Sequence, residues 1–349
     1  MKIFVLSDVY SGNGASEMLL NVTHYWVNTL GWQVDAIVRK DIKEIEYNKV
    51  MRSGMRPVLM ANFRDNYDLA LVNCIQNIAF VDVIYPRVPI VLWGHEAETI
   101  LDTTQCSTQD WIKFFSKISM VIFQTDWQKK LYGQFILDSD KVRIIPNGIP
   151  PIGFDGKVSK SEGFKISTVG RISPSKNQLG LIEAVCRLIN RYQLTCDFIG
   201  DNSLMTNSKN NISKLVDKYP DTFKFLGHLE RNQALARVAG SDLFCFPSRS
   251  ESFGLAPLEA SSLGVPVILN DLPVYRNLGW KSDVNCMMFN QSEPHSLDRI
   301  IEYLINHPEK RTDLSEQGRK LAGKFNNISF MEEFSLLFSI LSSMNGRFP

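Results

Sequence analysis

The stretch from Phe244 to Leu269, FCFPSRSESFGLAPLEASSLGVPVIL, constrains this chain more than any other. Its pattern predicts a short buried strand at Leu243 to Phe246, a loop from Pro247 to Leu255, and a helix from Pro257 to Leu263. That helix has Pro near its first position and Gly264 as its stop. A second buried strand follows from Val265 to Leu269. Strand, helix and strand in that order make a parallel βαβ unit, so the chain reads as α/β. Glu251, Ser252, Phe253, Gly254 and Glu259 then lie at the carboxyl edge of a parallel sheet, where open α/β folds take their ligands. The first backbone N–H groups of the helix lack intrahelical partners, and Gly254 lets a ligand approach the main chain, so a phosphate is the expected guest. The competing reading makes Glu259 a complement to the helix dipole and Glu251 a solvated loop residue. Ala256 stands where a reciprocal capping box would want Ser or Thr, which weakens that version.

A second element carries the opposite charge. Phe164 to Gly170 reads as a strand, and Ser173-Pro174 is expected to open a helix running through Gln178 to Ile189. Arg171 stands at the strand exit and Lys176 in the first turn of that expected helix. Cations beside the positive end of a helix are electrostatically unfavourable unless an anion joins them. Two snorkelling surface cations, at about 0.3–1 kcal/mol each, would give the same pattern.

GRISPSKN at 170 to 177 with the Glu251 to Glu259 spacing in SESFGLAPLEA resembles the retaining GT-B glycosyltransferases of glycosyltransferase family 4, the group 1 glycosyl transferases. The resemblance continues through IPNGI at 145 to 149, FIGDN at 198 to 202, FLGHLE at 225 to 230 and the terminal FNNISFMEEFSLLFSIL. It implies two Rossmann-like domains facing an interdomain cleft, with a C-terminal helix crossing back to the N-terminal domain. The implied bounds are 1–150 plus 328–349 for the acceptor-side domain and 151–327 for the nucleotide-sugar domain. By this similarity Arg171 and Lys176 would grip the donor diphosphate, Glu259 the ribose hydroxyls, and Glu251 the donor sugar. Ser252, Phe253 and Gly254 would offer main-chain amides, with Leu255, His228, Gly12, Asn13 and Gly14 also on the donor side. His95, Glu96 and Asn147 would face the acceptor. His95, Arg171, Lys176 and Glu251 make the implied catalytic set. The donor would be a UDP- or GDP-linked sugar and the acceptor a glycan or lipid-linked glycan of surface polysaccharide or lipopolysaccharide assembly, with no metal or other cofactor.

Length and charge agree with this. At 349 residues the chain can bury two cores. A net charge of +1 gives no global reason to expect nucleic acid. Cys74, Cys106, Cys186, Cys196, Cys245 and Cys286 show no metal spacing and read as buried free thiols. No segment approaches a bilayer span and the start lacks a signal-peptide layout, so a cytosolic protein is expected.

The N-terminal half reads as its own α/β unit. Lys2 to Ser7 is a strand, Ser11-Gly12-Asn13-Gly14 a permissive loop, and Ala15 to Leu30 an amphipathic helix ended by Gly31. The loop lacks the complete dinucleotide fingerprint, and Asn13 splits the glycine pair usual in the similar family. Further strands are expected at Val34 to Val38, Leu69 to Val72, Ile90 to Trp93, Met120 to Gln124 and Val142 to Ile145. His95 follows a strand at a carboxyl edge, with Gly94 and Glu96 beside it; such an imidazole titrates near neutral pH and can donate to a hydroxyl or departing phosphate. A structural histidine bonded to nearby backbone is the plainer reading. Asn147-Gly148 reads as a turn into a hinge spanning Pro150 to Gly163, and Pro150 replaces the Asp usual in the family. In the last helix, near Ser329 to Met344, Phe330, Phe334, Leu337, Phe338 and Leu341 form one apolar stripe.

Asp138-Ser139-Asp140 has the spacing of a metal-binding DxD but reads as a solvated turn. Trp111, Lys113, Phe114, Phe115 and Lys117, then Trp127, Lys129, Lys130 and Tyr132, alternate aromatic and basic residues. That suits peripheral contact with an anionic membrane, and equally a charged face over an aromatic core. A nucleotide-sugar epimerase of the same fold, or a non-catalytic sugar-binding relative, would share most of these features.

Overall fold

The computed structural model describes residues 1–344 apart from Ser11, 153–162 and 202–215. The chain divides into two compact units, Met1–Pro150 with Asn326–Pro349, and Pro151–Phe325. Most of the expected hinge, residues 153–162, lies outside the described residues.

The first unit holds a seven-stranded sheet ordered β3-β2-β1-β4-β5-β6-β7. Its strands are β1 Lys2–Leu6, β2 Gln33–Ile37, β3 Arg56–Val58, β4 Leu69–Asn73, β5 Ile90–Trp93, β6 Met120–Phe123 and β7 Val142–Ile144. Every pair is parallel. β4, β5 and β6 are buried along their whole length, because both faces of a parallel sheet are covered and each strand must be apolar on both sides. One face packs Phe4, Leu6, Val72, Leu92 and Phe123 with Trp111, Phe114 and Phe115. Those three aromatics are each 3% exposed and Tyr132 is fully buried, so the core reading of the aromatic-basic alternation holds for them.

The other face receives the helices Gly14–Asn28 and Asn327–Ser343. Phe330, Phe334, Phe338 and Leu341 are buried, while Leu337 is half-buried. Trp26 lies 4.7 Å from the Phe338 ring and donates from Nε1 to Ser335 Oγ at 2.8 Å; Trp93 lies 4.5 Å from Phe334. Each buried aromatic contributes roughly 1.5–3 kcal/mol, which fixes the final helix to the first unit's core. The return of the last helix to the N-terminal domain is therefore as expected.

The second unit holds a six-stranded parallel sheet ordered β10-β9-β8-β11-β12-β13. These are β8 Phe164–Val169, β9 Leu194–Ile199, β10 Phe223–Gly227, β11 Leu243–Phe246, β12 Val267–Asn270 and β13 Met287–Phe289. Strand order reverses between β8 and β11 here and between β1 and β4 in the first unit, and at such reversals the carboxyl ends leave a crevice.

Two helix starts that bear on the candidate site differ from expectation. The helix after β8 runs Gln178–Cys186 and does not begin at Ser173. Asn177 adopts a left-handed φ of 53°, and the Gln178 side chain bonds back to Ser173 N–H and Arg171 C=O, so 171–177 folds as a braced loop. The helix after β11 begins at Leu255, two residues early, because Gly254 takes the left-handed φ of 82° that ends the loop. Lys176 therefore lies before its helix, and Glu259 lies two residues further into its helix than expected.

Candidate active site

In the second unit, the two loops that leave β8 and β11 are joined. Lys176 Nζ pairs with Glu251 Oε1 and sits 5.1 Å above the Phe246 ring. The Arg249 N–H donates to Ser175 C=O at 2.7 Å, tying the same loops through the main chain. The Glu251 side chain is only 9% exposed, so its charge depends on the lysine. Expectation had given both residues separate roles; the structure makes them partners at the point of strand-order reversal.

Beside this pair lies the start of the helix Leu255–Ser262, which no side chain caps. Gly254 is obligatory there. Its φ is unfavourable for any other residue, and a Cβ would lie 2.8 Å from Tyr275 Cε1. The Tyr275 hydroxyl is buried without a partner, as are Ser248 Oγ and Ser250 Oγ. Burial, with the Glu251 charge behind it, pushes the Tyr275 hydroxyl pKa well up. A second close approach occurs between strand exits: a Cβ on Gly200 would lie 2.2 Å from the Gly170 carbonyl oxygen, so the ends of β8 and β9 touch through glycine alone.

Glu259 is held by Arg231, whose Nε and Nη2 reach Oε1 at 2.8 and 2.7 Å. Arg231 also donates to Pro151 C=O at 2.8 Å. Sequence reasoning missed this arginine. The signal was available, since it opens the helix Arg231–Ala239, where a cation opposes the dipole. Ser252 and Leu255 are half-buried beside Gly254, and Phe253 is buried edge-on to Phe325 with ring centroids 5.7 Å apart. Arg171 and His228 are exposed at the exits of β8 and β10 and join neither ion pair.

In the first unit, Gly12 is exposed with a φ of 79°, Asn13 caps the following helix by accepting from Ser16 N–H at 2.8 Å, and Gly14 is its first residue. The His95 ring lies 4.4 Å from the Trp93 ring at a tilt of 50°, with Nε2 buried and unpartnered. Burial pushes its pKa down to about 3, so the expectation of an imidazole titrating near neutrality is corrected: no carboxylate offsets the desolvation. Burial keeps the imidazole neutral. Glu96 turns toward the main chain, accepting from His95 N–H at 2.9 Å and Gln76 N–H at 3.3 Å, and burial pushes its pKa up. It shapes the loop. Asn147 is buried with Oδ1 unpartnered.

Asp138 accepts from Asp140 N–H at 3.0 Å within a short turn, and the Asp140 side is exposed. Among the described residues no group of three or more His, Cys, Asp or Glu could hold a metal ion, and no helix is long and apolar enough to cross a membrane. The six cysteines are free thiols, four of them buried.

Residues 154–321 match the model of the family described as glycosyl transferases group 1. The O-antigen biosynthesis glycosyltransferase WclY of Escherichia coli is 26% identical over 313 residues, covering 82% of this chain and 81% of that protein. The UDP-Gal:alpha-D-GlcNAc-diphosphoundecaprenol alpha-1,3-galactosyltransferase of Escherichia coli is 28% identical over 196 residues, 51% of this chain and 46% of that one. Among solved structures, Anabaena HepE in complex with UDP and glucose matches with a TM-score of 0.79 at 18% identity, covering 97% of this chain and 99% of that chain.

Proposed function

We propose that this chain, which carries a group 1 glycosyltransferase domain on a GT-B fold, transfers a sugar from a nucleotide diphosphate sugar to a hydroxyl of a glycan or lipid-linked glycan. The observation that carries the reading is the Lys176–Glu251 pair at the strand-order reversal, set beside the uncapped helix start at Gly254. A diphosphate at that start gains the backbone N–H groups and the dipole, and Lys176 turns from Glu251 to the phosphate. Arg171 adds a second cation from the same loop. Glu251, released from the lysine, accepts from the donor sugar's hydroxyls. Glu259, oriented by Arg231, accepts from the ribose hydroxyls. As the anomeric bond breaks, charge grows on the leaving diphosphate and is met by groups already in place.

We assign the chain to glycosyltransferase family 4, with retention at the anomeric carbon and no metal requirement. A UDP-linked donor is favoured by the HepE complexes with UDP and with UDP and glucose, and O-antigen assembly by the relation to WclY. The first unit takes the acceptor side, where His95 donates as a neutral imidazole. The test is incubation with a panel of UDP- and GDP-sugars and lipid-diphosphate-linked sugar acceptors, with product anomer read by NMR. An α-linked product from an α-linked donor, formed equally in EDTA, is expected. An inverted product or EDTA-abolished transfer would refute the finer assignment, and the absence of any transfer the reading itself.

A further inference from the structure

The exits of β4 to β7 carry an unusual set of groups. Asn73 Oδ1, Trp93 Nε1, His95 Nε2, both amide atoms of Gln124, and Asn147 Oδ1 are all buried without a hydrogen-bond partner. Native interiors leave few such atoms, because each one costs its desolvation without return, about 1–3 kcal/mol. They are also neighbours in register. Asn73 pairs with Trp93, and Trp93 with Ile122. Gly94 N–H donates to Ile122 C=O and Ile145 N–H to Phe123 C=O, which sets Gln124 between the His95 loop and the Asn147 loop. Strand alternation sends Gln124 to the face of Ile122 and Trp93.

Gln124 is the most informative of them. It is 1% exposed, and neither end of its amide is bonded, although its main-chain N–H is held by Gln128 Oε1 at 3.0 Å. Gln128, one turn on, is fully engaged: its Nε2 donates to Gly94 C=O at 3.2 Å and Glu96 C=O at 3.1 Å. One glutamine braces the loop. The other braces nothing.

We propose that Gln124 is a specificity-determining residue that reads a neutral sugar ring of the acceptor, donating from Nε2 and accepting at Oε1 as two neighbouring hydroxyls require. The chemistry selects the ligand class. The set holds donors at Trp93 and Gln124, and acceptors at Asn73, Gln124 and Asn147. His95 is neutral, so none of these atoms carries a charge. Such a set of atoms matches vicinal hydroxyls, which both donate and accept, and has nothing to neutralise a phosphate. The inference rests on the glycosyltransferase reading for the identity of the ring as an acceptor.

The experiment compares wild type with Gln124→Leu, using methyl glucoside, methyl galactoside and methyl N-acetylglucosaminide as probes in saturation-transfer NMR, with and without UDP. Wild type is expected to bind at least one glycoside, and the variant to bind it about fivefold more weakly, the worth of one neutral hydrogen bond. UDP affinity is expected to be unchanged, and the ligand-free variant to melt higher, since an unsatisfied buried amide has become apolar. No glycoside binding to wild type, equal binding to both proteins, or a lower melting point for Gln124→Leu would each overturn the proposal. Failure of UDP to bind wild type would strike the donor reading alone, because the glycoside signal is measured without it.

Discussion

The Glu251 carboxylate is neutralised by the Lys176 ammonium across the two loops that flank the strand-order reversal of the second unit. In the proposed site, an acid beside the donor diphosphate would be repulsive unless it had another task. The pair supplies one: it holds the lysine in a defined place and ties the two loops together.

Removing the acid should separate binding from turnover. Glu251→Gln frees Lys176 and deletes a like charge near the phosphates, so UDP should bind as tightly as to wild type or more tightly. Sugar transfer should fall about a hundredfold, the scale of a lost group that acts on the reacting sugar. Calorimetry with UDP and a transfer assay on the same preparation check this; weaker UDP binding would count against it.

Gly254 should tolerate no side chain. Gly254→Ala forces a left-handed φ at about 1–2 kcal/mol and drives a methyl group into the Tyr275 ring. A lower melting point and loss of UDP binding are expected. Tyr275→Phe keeps the ring and deletes an unpartnered hydroxyl, so its melting point should match or exceed that of wild type.

Arg231 orients Glu259, so Arg231→Ala should raise KM for the donor about tenfold with a smaller change in kcat, as expected of lost ground-state binding. Arg231→Lys should not rescue it, because a point charge cannot reproduce the guanidinium geometry. Steady-state kinetics with varied donor distinguish this from a kcat effect.

Stability should depend on pH through His95. Its folded pKa is pushed down to about 3, from an ordinary value of 6.5, so between these limits the unfolded chain binds more protons. Stability is fully present above pH 6.5 and is lost as pH falls toward 3. His95→Gln should flatten that slope in urea melts taken at pH 7, 6 and 5, whereas a slope equal to wild type would show that His95 is not its source.

The apolar runs at Leu69 to Val72, Ile90 to Trp93 and Leu243 to Phe246 were legible as strands because parallel strands are buried on both faces. β3, with Arg56 and Pro57, carried no such signal. The early start at Leu255 and the late start at Gln178 were hidden because each depends on a left-handed residue, Gly254 packed against Tyr275 and Asn177 in the loop braced by Gln178, which the periodic pattern does not mark. Lys176 and Glu251 were legible as charged residues at strand exits, but not as a pair, since 75 residues separate them and only the sheet order brings them together. The burial that makes His95 neutral likewise comes from packing that local sequence does not display.

The proposed donor site requires a diphosphate to displace Glu251 from Lys176, and isothermal titration of UDP into wild type and Lys176→Ala tests this most directly. The Lys176→Ala protein, checked for folding by its melting curve, should bind UDP at least about tenfold more weakly, as befits one lost charge-assisted bond. Equal affinity in a folded variant would contradict the placement of the donor diphosphate at this lysine.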